Sequence, residues 1–167
     1  MRKLDPAIYS VVVKSIRNII IHPKGWSFEM MDAVLRHSLI VTFCPINELE
    51  ILLKEVFPEK EWNLENPGNA MYFGCGTMGV IWFQPDWSPD KFSDLALATH
   101  EFTHANHNMG THSGIPFKDD SEEWYCYRIQ WQFECLIAAF QMKAERSWKK
   151  YGIVKMTLQK MGGTIKI

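Results

Sequence analysis

Apolar residues recur at helical spacing along the start of the chain, at Ile8, Val12, Ile16 and Ile19. Asp5-Pro6 precedes them, an N-cap followed by proline at the first helical position. The turn-like "HPKGW" ends that segment, and Ser27 is placed to cap a second helix running to about Ile40. Pro45 opens a third, whose stripe of Leu49, Leu52, Leu53 and Val56 stops at Pro58. Residues 58–70 are polar and loop-like. The aromatic and β-branched run "MYFGCGTMGVIWFQPDW", broken by Gly74, Gly76 and Gly79, predicts two short strands at about 71–75 and 79–84 joined by a tight turn.

A further helix is expected from Ser88-Pro89-Asp90 or Ser93, with Leu95, Ala98, Phe102 and Ala105 along one side and Gly110 as its stop. After a polar loop over 110–120, Ser121 caps a long helix to about Trp148, with Glu122 and Glu123 in the first turn, where carboxylates suit the helix dipole. The tail "GIVKMTLQKMGGTIKI" adds a short strand or lies extended. These elements predict an α+β fold: a helical N-terminal part at 1–57, a core at 70–148 built on a small antiparallel or mixed sheet, and a tail at 149–167.

Composition narrows the class. A chain of 167 residues that is 47% hydrophobic, with seven Trp and ten Phe, fits one domain around a sizeable core. A net charge of −1, with Lys and Arg scattered, gives no basis for nucleic-acid binding, and Lys149, Lys150 and Lys155 are too few to form a basic patch. No apolar run is long enough to span a membrane, because Lys14 and Arg17 interrupt "SVVVKSIRNIII". Asp5 and the lack of a small-residue cleavage site speak against a secretory signal. Cys44, Cys75, Cys126 and Cys135 form no CxxC pair, so a reducing cytoplasm is the expected setting.

The candidate chemistry lies in "THEFTHANHNMGTH", residues 99–112. On a helix, His100 and His104 project from one face, a turn apart, and two imidazole nitrogens so placed can bind one zinc ion. Glu101 stands beside that ion without ligating it and can take a proton from a zinc-activated water, which is the physical content of the HExxH pattern. Catalytic zinc usually has three protein ligands. His107 shares the face but lies roughly 10.5 Å along the axis from His100, too far for one ion. His112 lies beyond Gly110 and can join only if the loop folds back. Glu122 and Glu123 remain, at the start of the next predicted helix.

HEFTH, eighteen intervening residues and then Glu123 resemble the gluzincin branch of the zincin metallopeptidases. The continuation "EWYCY" is similar to short phage and bacterial zincin-like proteins and to the minimal gluzincins. The metzincin pattern does not fit, since the position of its third histidine is Gly110. The resemblance covers about residues 78–135. It implies a zincin-like fold with zinc on His100, His104 and Glu123, and Glu101 as general base. It further implies that strand 79–84 pairs with an extended peptide substrate. Glu122 stands where the larger gluzincins carry asparagine, and their exopeptidase motif is absent, so an endopeptidase is expected. Tyr125, Tyr127, His107 and His112 are candidates to stabilise the oxyanion or contact substrate. The competing expectation is a zincin-fold binding or inhibitor module with structural or absent zinc.

Overall fold

A computed structural model describes residues 3–22, 24–115, 117–118 and 121–145, and the backbone of 154–157. Asp5 caps helix α1 (Pro6–Val12) as expected, its Oδ1 accepting the Ala7 N–H at 2.8 Å. The helix then tightens into a 3₁₀ turn at Val13–Ser15 and gives way to strand β1 (Ile16–His22). The helical reading through Ile16 and Ile19 is therefore corrected. The run of β-branched Ile16, Ile19, Ile20 and Ile21 loses side-chain freedom in a helix and packs well on a pleated surface.

The second predicted helix is a β-hairpin. Strand β2 (Gly25–Asp32) alternates Trp26, Phe28 and Met30 on one face with Ser27 and Glu29 on the other. Strand β3 (His37–Phe43) is buried along its whole length. The hairpin turns where Asp32 Oδ1 accepts the N–H groups of Val34 and Leu35, at 2.8 and 2.9 Å, and Arg36 takes φ 55°. Helix α2 (Ile46–Val56) and strands β4 (Ala70–Cys75) and β5 (Met78–Phe83) follow close to their expected bounds.

Helix α3 spans Phe92–His112 and helix α4 spans Glu122–Glu145. The tail supplies a short strand β6, Val154–Thr157. Residues 146–148, the expected end of the long helix, lie outside the described residues.

Among the described residues the fold is α+β, with one six-stranded mixed sheet in the order β4-β5-β3-β2-β1-β6. The pairs β1–β6 and β3–β5 are parallel and the others antiparallel. One face carries Trp26, Phe28, Met30, Val41, Phe43, Ile81 and Phe83 and packs against α3 and α4 through Ala98, Phe102, Ala105, Leu136, Ala139 and Met142. On the other face Ile40, Val80 and Trp82 meet Leu49, Leu52 and Leu53 of α2. Phe83 and Trp87 belong to an aromatic stack with Phe43, and Trp82 donates its indole N–H to the Cys44 carbonyl at 2.7 Å. These three aromatics near the motif are thus core.

Gly110 is not the stop of α3; the helix passes through it to His112. A Cβ there would stand 2.2 Å from the Tyr125 hydroxyl and 2.7 Å from the Ile115 carbonyl oxygen, so glycine permits the close approach of α4 and the loop. Gly110→Ala is expected to destabilise the protein by about 1–3 kcal/mol through overpacking, despite alanine's better helix propensity. A lower urea midpoint with unchanged slope checks it.

Candidate functional site

The HExxH segment occupies the middle of α3, which packs against β4 and β5. The residues that face the core are Ala98, Phe102, Ala105, Asn106 and Met109. His100 and His104 face the other way and are exposed. Their Nε2 atoms converge to 3.0 Å, with ring planes at 82°. Helical spacing puts the rings one above the other, and their rotamers turn both Nε2 atoms inward to a common point.

Glu101 sits between them on the flank that meets the sheet and is 6% exposed. Burial pushes its carboxyl pKa up, while the neighbouring His100 and His104 and the backbone N–H of Tyr72 pull against that rise. The Tyr72 amide belongs to β4, the outermost strand on this side of the sheet. Sequence reasoning missed this donor. Its signal was available only in the pleat of the 70–75 strand, once β4 is known to be the edge.

That order also corrects the peptide-pairing expectation. β5, the strand expected at 79–84, is flanked by β4 and β3 on its two sides, whereas β4 has a side with no strand partner among the described residues.

Two imidazoles suit zinc as donors. At about 2.0–2.1 Å from the metal, two nitrogens at tetrahedral angles stand roughly 3.4 Å apart, close to the separation found here. The expected third donors lie elsewhere. Glu122 and Glu123 are exposed in the first turn of α4, and among the described residues no three His, Cys, Asp or Glu side chains are grouped to hold a metal.

The reason is the run of α4 back along α3. Tyr125 lies on Gly110, Arg128 and Gln132 bond Asn106, and Phe133 meets Phe102. The first turn of α4 therefore lies beside the end of α3, about two turns past His104. Because α3 continues beyond Gly110, the eighteen-residue interval takes the acidic pair past the histidines.

The other named candidates disperse. Tyr125 is buried and donates its hydroxyl to the Ile115 carbonyl at 2.9 Å, closing the loop between α3 and α4. Tyr127 is on the outer side of α4, in a groove that no motif residue lines. His107 is exposed on α3, a turn beyond His104. His112, in the last turn of α3, lies 5.8 Å from the ring of His37, which opens β3 and is 2% exposed. Burial, reinforced by the neighbouring Arg128 and His112, keeps the His37 pKa below its ordinary value.

No helix among the described residues is long and apolar enough to cross a membrane. Cys44 and Cys135 are buried and Cys75 and Cys126 exposed, all as free thiols. No protein-family model, curated protein or solved structure matches the chain.

Proposed function

We propose that the chain is a zinc-dependent metallopeptidase of zincin-like architecture that cleaves peptide bonds internally. The observation that carries this reading is the meeting of the His100 and His104 Nε2 atoms at 3.0 Å on one helix face, with the buried Glu101 one residue after the first and three before the second. His100 and His104 would hold the metal, and the sequence resemblance assigns Glu123 as the third ligand. Zinc, when bound, supplies Lewis acidity toward a water molecule and the scissile carbonyl. Glu101 takes the proton from the attacking water and returns it to the leaving amine. The Tyr72 N–H favours the ionised carboxylate, the form that accepts this proton. The side of β4 away from β5, unpaired among the described residues, is where an extended substrate backbone would add a strand.

A second reading, a zincin-like binding or inhibitor module, is favoured by one observation: Glu122 and Glu123 stand apart from the histidine pair. Metal analysis and proteolysis together separate the two. Purified protein is expected to carry about one zinc per chain and to hydrolyse casein in a chelator-sensitive manner. His104→Ala loses the metal, whereas Glu101→Gln keeps it and loses at least about a hundredfold in rate; metal loss in Glu123→Gln as well would mean that this carboxylate reaches the histidines when zinc is bound. Zinc retained by His104→Ala removes the ligand assignment. Full activity in Glu101→Gln removes the general base, and stoichiometric zinc with no hydrolysis of any protein favours the binding module.

A further inference from the structure

A groove of about 580 Å³ lies on the side of α4 remote from the motif histidines. The turn between β2 and β3 forms one wall through Met31, Val34 and Leu35, and α4 forms the other through Trp124, Tyr127 and Trp131. Lys14 and Arg17, from the 3₁₀ turn and the start of β1, stand at its border. The volume is within the range of small-molecule sites.

Its apolar walls are open: Val34 is 89% and Tyr127 67% exposed. Neither residue supports the fold from such a position. The charges are unequal as well. Asp32 is the one acidic side chain of the lining, and Arg128 already neutralises it. Arg128 is itself held against the Trp124 and Trp131 rings, at 5.0 and 5.6 Å. Among the described residues Lys14 and Arg17 enter no ion pair, so two positive charges without a described counter-charge border a cleft walled by aromatic rings.

We infer that this groove binds a small planar aromatic molecule carrying an anionic group. The ring would lie between the α4 aromatics and the aliphatic turn, and the anion would face Lys14 and Arg17. Apolar walls alone would accept any oily ligand, whereas the two bordering cations select an anion. This site is independent of the zinc proposal, since it shares no residue with it.

The probe is 8-anilinonaphthalene-1-sulfonate, followed by its fluorescence in low salt, with uncharged N-phenyl-1-naphthylamine as its counterpart. Saturable binding at one site per chain is expected, weakening as salt is added. The Lys14→Gln/Arg17→Gln double variant is expected to weaken the sulfonate about tenfold and to leave the uncharged probe unchanged. Tyr127→Ala should weaken both probes. Unchanged far-ultraviolet circular dichroism shows that each variant is folded.

No saturable binding, or equal sulfonate affinity in the double variant, overturns the assignment. Self-association in sedimentation that Val34→Ser abolishes and the sulfonate competes away would mean that the groove takes a second copy of this chain, which also overturns it.

Discussion

Arg128→Ala is expected to destabilise the protein by about 3–5 kcal/mol, the largest loss anticipated for one charged side chain. Arg128 is 7% exposed, and each of its three nitrogens has a partner. One terminal nitrogen pairs with the Asp32 carboxylate, the other lies 3.4 Å from Met109 Sδ, and Nε donates to Asn106 Oδ1 at 3.2 Å. Burial raises the Asp32 pKa, but the N–H groups of Leu35 and Val34 and the bond and charge of Arg128 outweigh it and hold the carboxyl below its ordinary range. Truncation therefore strands an ionised carboxylate at low exposure and leaves Asn106 short of a donor.

The control is the pair Arg128→Met/Asp32→Asn, which keeps volume and removes both charges. Continuum arguments make such a swap far milder than the single truncation. Chemical denaturation of the two single variants and the double variant gives the coupling directly. A double variant as unstable as Arg128→Ala would place the cost in packing rather than in the stranded charge.

The second large effect is on acid stability. His22 is 4% exposed, its Nε2 engaged by the Ser27 hydroxyl, which donates onward to Thr42 Oγ1 at 2.7 Å. Nδ1 has no partner among the described residues. Burial pushes the pKa from 6.5 down to about 4. In the unfolded chain the imidazole takes its proton near 6.5, so unfolding binds a proton throughout the interval between those values.

Stability is thus fully present above about pH 6.5, falls as pH drops toward 4, and levels off where the folded ring also protonates. That interval corresponds to about 3 kcal/mol. His37, also buried with a lowered pKa, acts in the same direction. Asp32, with its lowered carboxyl pKa, gives stability above its unfolded value that is lost only in stronger acid. Urea midpoints from pH 7.5 to 4 are expected to show the decline, and His22→Gln to flatten most of it. An equal slope in that variant would assign the proton uptake elsewhere.

The parts of the fold that could be read from sequence are those buried on one side. The leucine stripe of α2, bounded by two prolines, and the glycine-broken hairpin of β4 and β5 show their periods plainly. β1 and β3 do not, because both faces of each are covered. In β3 every residue from His37 to Phe43 is buried, and a strand covered on both faces has no alternation to betray it. Met30, Met31, Ala33 and Leu35 near the β2–β3 turn are good helix formers, and only tertiary pairing overrides them.

For the site, the histidine pair was legible because four residues on a helix fix its geometry locally. The position of Glu123 was not. It depends on whether Gly110 ends a helix or makes room for Tyr125, and glycine serves both purposes with one letter.

The parallel pairing of Asn18–Ile21 with Val154–Thr157 has a cost in time rather than in energy. Well over a hundred residues must be synthesised after β1 before it receives this neighbour, so the backbone on that flank of β1 waits without it during synthesis. An edge kept waiting in this way is the kind that pairs with another chain, which makes the interval before β6 arrives the one most exposed to misassembly.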